Sequence, residues 1–209
     1  MGYGFLDIAS TPSVKAAQAE NGSLEFWSSF KGNRAFDRFT EAEAGFITHR
    51  DSFYMATVSE TGWPYIQHRG GPPGFLKVLD DKTLGFADFR GNRQYISVGN
   101  MATDDRVALF LMDYPSRTRL KILARAEIKD LANDAELAEK LDIPGYKTKI
   151  ERAVLFHLEA FDWNCQQHIT PRFTEAEIAQ AVAPMRARLT ALEAENGVLR
   201  AKLAAGESE

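Results

Sequence analysis

The 209 residues carry 44% hydrophobic and 26% charged side chains, with a formal net charge of −4. That is the balance of a folded chain with one sizeable core and some appendages, and its negative sign argues against a general nucleic-acid binder. The single cysteine, Cys165, excludes an intrachain disulfide and suits a reducing compartment. No basic-then-apolar leader opens the chain, and no stretch nears the roughly 20 apolar residues of a spanning helix. A cytoplasmic chain with no membrane partner is therefore expected.

In chain order, Thr11-Pro12 predicts a helix to about residue 20, with Thr11 as cap and Pro12 in the first helical position. Asn21-Gly22 ends it. Ser23 then caps a further turn carrying Leu24, Phe26, Trp27 and Phe30, aromatics expected to pack on a core or a partner subunit. Thr40-Glu41-Ala42-Glu43 is a capping-box signature. It opens a helix to about His49, with Ala44, Phe46 and Ile47 inward. Residues 53–59 read as a strand, closed by a turn at Gly62 and Pro64. Three apolar runs follow, at residues 65–67, 75–79 and 84–86. Gly70-Gly71-Pro72-Pro73-Gly74 and Asp80-Asp81 separate them, the pattern of antiparallel strands joined by turns. A short helix comes next, with Ile96, Gly99 and Asn100 on one face. Strands are predicted over 106–113 and 119–129, the second with Leu120, Ile122 and Ala124 inward, then a short helix over 133–141, a loop, and a last strand over 153–162. Short strands with little room for crossover helices indicate a mainly β (α+β) fold built on an antiparallel barrel.

The chemistry lies in the breakers. Arg69, Arg90 and Arg93 each stand beside a glycine or one residue from it, at strand ends. Glycine lets backbone N–H groups approach a ligand closely, and arginine presents a planar fork suited to phosphate oxygens. Arg93 and Gln94 lie where a short helix begins, a place that favours an anion. One such arginine reads as a solvated turn residue. Three of them, clustered with glycines in consecutive hairpins, read as a phosphate site.

The succession HRGGPPGFLKVLDD, a strand, FRGNRQ, a short helix and DDRVALFLMD resembles the FMN-binding split-barrel family, whose best-known member is pyridoxamine 5'-phosphate oxidase. The likeness implies an antiparallel split β-barrel with flanking helices over residues 45–173, after an N-terminal helical extension at 1–44. It implies FMN as cofactor, a homodimer with flavin sites at the subunit interface, and an FMN-dependent oxidoreductase acting on a small molecule. A non-catalytic flavin-binding or stress-response module is the alternative. A deazaflavin in place of FMN, or a degenerate barrel serving as an interaction scaffold, also fits the pattern. The residues implied at the flavin are His68, Arg69, Gly70, Gly71, Phe89, Arg90, Asn92, Arg93 and Gln94, with Trp63, Phe89 and Trp163 available to cover the ring. Trp163 and Arg172 resemble a C-terminal Trp and Arg that reach the neighbouring subunit's flavin in the oxidase, at a different spacing. The oxidase's substrate-phosphate residues have no counterpart that can be placed, and no catalytic residue is assigned. No metal site is expected, because Cys165 and His168 are too few for zinc. They read either as a thiolate–His pair or as a semi-buried thiol beside a pocket-lining imidazole. His157 reads as structural or surface.

Residues 174–209 have their own logic. Thr174-Glu175-Ala176-Glu177 is a second capping box. Ile178, Val182, Met185, Leu189, Leu192, Asn196, Leu199 and Leu203 then recur at alternating spacings of four and three, a heptad seam. The C-terminal coiled-coil-like helix fits either a helix laid on its own barrel or a parallel coil between two copies. Pro184 is expected to kink or break it, and Gly197 to weaken it.

Overall fold

The computed structural model describes residues 4–30, 37–163 and 167–206. The chain divides into two compact units, one comprising Met1–Asp113 and Arg117–Ile169, the other Tyr114–Ser116 and Thr170–Glu209.

The first unit is an antiparallel sheet of β1 (Ser52–Val58), β2 (Pro64–Gly70), β3 (Lys77–Val78), β4 (Thr83–Phe89), β5 (Arg106–Asp113), β6 (Thr118–Lys129) and β7 (Ile150–Trp163), in the order β2-β1-β5-β6-β7-β4-β3. Alternation decides which face is buried. Phe53, Met55 and Thr57 of β1, Val107, Leu109 and Leu111 of β5, and Leu120, Ile122 and Ala124 of β6 all point inward. They meet Phe75, Leu76, Leu84, Phe86 and Phe156 in the main core. β4 is buried on both faces. Its outer side and that of β7 form a second cluster of Ala87, Ala153 and Leu155, covered by Leu137 and Leu141 of a short helix, Ala135–Leu141.

The predicted turn over residues 70–74 is not a hairpin. β2 pairs only with β1, whereas β3 pairs with β4 at the far end of the strand order. The Gly-Pro stretch instead carries the chain from one margin of the sheet to the other, and Gly71 N–H donates to Asp51 O along the way. Among the described residues the two margins meet without a backbone ladder. Arg69 of β2 reaches Asp88 of β4 with an N···O distance of 3.0 Å. This is the mainly β split barrel expected from the sequence.

The flanking helices, in chain order, are α1 (Phe5–Ala9), α2 (Pro12–Glu20), α3 (Leu24–Ser29), α4 (Glu41–Thr48), α5 (Ile96–Thr103), α6 (Ala135–Leu141) and α7 (Glu175–Ala204). Thr11 caps α2 by accepting from Val14 N–H, but Ser23 makes no side-chain cap on α3. Phe26, Trp27 and Phe30 pack on one another, ring centres 5.0–6.5 Å apart, and stay exposed rather than entering the core. α5 buries Ser97, Asn100 and Met101, while Ile96 and Gly99 face out. The face is set by a buried bond from Asn100 Nδ2 to Thr57 Oγ1, at 2.9 Å. α4 carries its capping box, and Glu43 does a second job there: its Oε1 accepts from Trp163 Nε1 at 2.8 Å, tying the helix start to the end of β7.

The second unit is dominated by α7, which runs unbroken through Pro184. Beside it, the Arg172 guanidinium lies over the Tyr114 ring, 4.8 Å from its centre.

Candidate functional site

Where β2 and β4 meet without pairing, a cavity of about 220 Å³ opens. One wall is the inner face of β2, whose alternate residues Tyr65, Gln67 and Arg69 are half-buried while Ile66 and His68 face the other way. The opposite wall is the end of β4, with Asp88 and Phe89, continued by the loop from Gly91 to Tyr95 and the first residues of α5. Glu151 of β7 closes the floor.

The loop is strained. Arg93 and Tyr95 both take left-handed backbone angles, φ 63° and 54°, which cost non-glycine residues of order 1–3 kcal/mol each and tend to persist where function requires them. Asn92 steadies the loop by accepting from Gln94 N–H at 3.1 Å and hydrogen-bonding the Gln94 side chain. As a result Arg93, Gln94 and Asn92 project from consecutive positions into one cavity. Arg93 is exposed and hydrogen-bonds the Tyr95 hydroxyl, which raises its basicity, and the Glu151 carboxylate adds a weaker pull in the same direction. A permanently charged, solvent-facing fork suits an anionic group.

The inner part of the site is a charge network. Asp88, on an otherwise apolar strand, lies between Arg69 at 3.0 Å and Arg152 at 3.5 Å. Burial pushes its carboxyl above the usual aspartate range, against the pull of the two arginines. Arg152 also pairs with Glu151 at 3.1 Å and lies over the Tyr95 ring at 5.0 Å, and the Tyr95 hydroxyl donates to Glu151 at 3.1 Å. Arg69 Nε is buried with no partner among the described residues. The cavity thus presents an exposed cation at its mouth and a charge network at its base.

Of the residues singled out in the sequence, Arg69, Phe89, Asn92, Arg93 and Gln94 line this cavity together. Arg90 stands next to it, its Nε 3.7 Å from Glu151. His68 lies on the other face of β2 with its ring against Tyr54. Gly70 and Gly71 do not line the cavity, and Gly71 is there for packing, since a Cβ would come within 2.8 Å of the Phe75 ring. Trp63 is exposed on the β1–β2 turn. Trp163 is half-buried against the main core, packs edge-on on Phe46 at 4.9 Å and bonds Glu43. Arg172 belongs to the second unit. Asn164 and Cys165 lie outside the described residues, so the Cys165–His168 pairing does too; His168 itself has φ 63°. His157 is exposed and bonds Glu127 at 3.0 Å. Among the described residues no group of three or more His, Cys, Asp or Glu side chains is placed to hold a metal ion, and no helix is long and apolar enough to cross a membrane.

Sequence reading passed over Tyr65, Gln67, Asp88, Tyr95 and Glu151. A signal existed for Asp88, a carboxylate inside the apolar run LGFADF, because a buried charge is retained only when paired. Its partner, 19 residues earlier on the far margin of the sheet, left no local trace.

The sequence model of the pyridoxamine 5'-phosphate oxidase family matches residues 39–163, which hold every strand of the sheet. A comparison with curated proteins finds no match. Similar solved structures include HupZ of Group A Streptococcus, at 18% identity over 64% of this chain and 99% of that one with a TM-score of 0.47. An FMN-binding protein from Syntrophomonas wolfei is 14% identical over 72% of this chain and 97% of that one, TM-score 0.44. General Stress Protein 26 from Bacillus anthracis is 14% identical over 62% and 92%, TM-score 0.44. At these identities the likeness does not extend to ligand or reaction.

Proposed function

The chain belongs to the pyridoxamine 5'-phosphate oxidase family, and on that premise we propose that it binds FMN and works as an FMN-dependent oxidoreductase on a small molecule. The observation that carries this reading is the loop at 91–95, whose strained backbone holds the exposed Arg93, with Asn92 and Gln94, at the mouth of a cavity walled by Arg69. Arg93 and Gln94 would take the phosphate of FMN, with Asn92 holding the loop in shape. Phe89, Tyr65 and Gln67 would face the rest of the nucleotide. FMN, when bound, supplies the two-electron chemistry of its ring. The protein's part is to place it, to exclude water around it and to hold the buried Asp88–Arg69–Arg152 network fixed beneath it.

Size bears on the assembly. Small-molecule sites usually measure roughly 300–1,000 Å³, more than the 220 Å³ here. One chain therefore encloses the phosphate end and leaves the ring to be covered by something else. This supports a homodimer in which a second copy completes each flavin site.

The test is direct. Purified protein is expected to show a flavin absorbance spectrum, and chromatography of the cofactor released on denaturation should identify FMN. Arg93→Ala is expected to weaken FMN binding about ten- to a hundredfold, the loss of one charge-assisted contact at roughly 1.5–3 kcal/mol. Unchanged affinity in that variant would remove Arg93 from the phosphate site. Protein that binds FMN but passes electrons to no acceptor would leave binding intact and dismiss the oxidoreductase reading.

A further inference from the structure

We propose that α7 is one strand of a parallel, in-register, two-stranded coiled coil formed with a second copy of this chain. The inference is independent of flavin binding and rests on four features of the helix itself.

The first is an unpartnered apolar seam. Glu175–Ala204 is a 30-residue helix with no buried residue. Met185, Leu189, Leu192, Leu199 and Leu203 are between 42% and 75% exposed. With Ile178 at a d position, the seam assigns d to Ile178, Met185, Leu192 and Leu199, and a to Val182, Leu189, Asn196 and Leu203. The two residues that disfavour helix, Pro184 and Gly197, fall at c and b on the outer side. The seam itself is free of breakers, and a Cβ at Gly197 would meet nothing.

The second is a ready-made socket. A hollow on the helix surface is lined by Leu189, Leu192, Glu193 and Asn196, with Gly197 and Arg200 at its rim. Those first four are an a, d, e, a set. Knobs-into-holes packing seats each seam side chain among four residues of the facing helix. For a partner in register, the side chain entering this socket is Leu192 of the second copy.

The third is charge. In a parallel pair the g residue of one helix faces the e residue of the next heptad on the other. Here that sets Arg188 against Glu193 and Glu195 against Arg200, both attractive, and each occurs twice by symmetry. A parallel register shifted by one heptad sets Arg188 against Arg200, Glu195 against Glu193 and Lys202 against Arg200, all of like sign, so charge opposes the slip.

The fourth is Asn196, which chooses the direction. An antiparallel pair with full overlap also brings opposite charges together, Arg186 with Glu193 and Arg188 with Glu195. It sets Asn196 against Met185, burying an amide with no partner, which is costly. The parallel pair sets Asn196 against Asn196, where the two amides satisfy each other, a known device for fixing two strands and their register.

Disulfide trapping in the full chain tests this, in a Cys165→Ser background. Leu199→Cys, at d, should oxidise to a disulfide-linked dimer at low micromolar protein at least tenfold more completely than Val198→Cys, at the outer c position. Mixing Leu199→Cys with Val182→Cys chains separates the directions, because full antiparallel overlap apposes positions 199 and 182. Dominant 199–199 links support the proposal. Dominant 199–182 links overturn it in favour of the antiparallel pair. Equal trapping at 198 and 199, or none at either, overturns the coil, and a dimer held only through the barrels would give that result. Adding Asn196→Leu should raise the 199–182 product severalfold; an unchanged ratio would overturn the role given to the asparagine.

Discussion

Glu43 shows how much one side chain can hold. Its Oε2 accepts from the Thr40 backbone at 2.9 Å and its Oε1 from Trp163 at 2.8 Å. Burial raises the Glu43 carboxyl, but those hydrogen bonds outweigh it and leave the group below its ordinary value of 4.5. The unfolded chain therefore takes up the proton first as pH falls. Glu43 stabilises the fold above about 4.5, and that contribution is lost as pH drops through the lower folded value. Asp88 has the opposite sign: its folded value is raised above 3.8, so its contribution is full below that pH and fades as pH rises through the folded value. Glu43→Gln is expected to lose about 1 kcal/mol at neutral pH, the usual cost of a weakened helix cap. The gap to the parent should narrow in denaturation curves taken below about pH 4.5. A gap constant into strong acid would mean that the charge contributes nothing. The capping box was legible from Thr40 and Glu43 alone. The bond to Trp163 was not, because it spans 120 residues.

At the scale of elements, two glycines make opposite predictions. A Cβ on Gly71 would come within 2.9 Å of Phe75 Cβ and 2.8 Å of its Cγ, the root of a fully buried ring. For a Cβ on Gly85, in β4, the nearest atoms would be the methyl ends of Leu79, Leu141 and Leu155, at 2.9–3.1 Å. Overpacked cores typically lose 1–3 kcal/mol, whereas removing a strand glycine recovers some backbone entropy. Gly71→Ala should cost about 1–3 kcal/mol, and Gly85→Ala clearly less, read from denaturation midpoints at unchanged m-value. Equal losses would contradict the assignment of Gly71 to packing. Strand and helix placement followed from alternation and caps, so α2, α4, β5 and β6 fall where sequence puts them. Faces were harder. His68 is on the wrong side of β2 for the cavity because a strand alternates every residue, and the buried face of α5 is one residue later than its apolar pattern suggested because Asn100 is held by Thr57.

At the scale of the molecule, the order β2-β1-β5-β6-β7-β4-β3 was not legible. Local turn signals tell where a strand stops; they do not tell which margin it joins, and residues 70–74 look like a hairpin turn while serving as a crossing. We propose that the barrel and the α7 unit fold separately. A chain ending at residue 169 should then melt within a few degrees of the full chain, while losing any dimer held through α7. A collapse in melting temperature would make the two one cooperative body.

The junction between β2 and β4 has a further consequence. Everywhere else each strand is stitched to its neighbour through the main chain, but here a guanidinium and a carboxylate do the joining. Opening the barrel at that point breaks an ion pair and no ladder hydrogen bond. In native-state deuterium uptake, β2 amides should trade their protons earlier than those of β6, and uptake along β2 should quicken as sodium chloride is added while β6 holds steady. The nucleotide tail proposed for this cavity would meet the sheet where its margins are joined by an ion pair rather than a ladder.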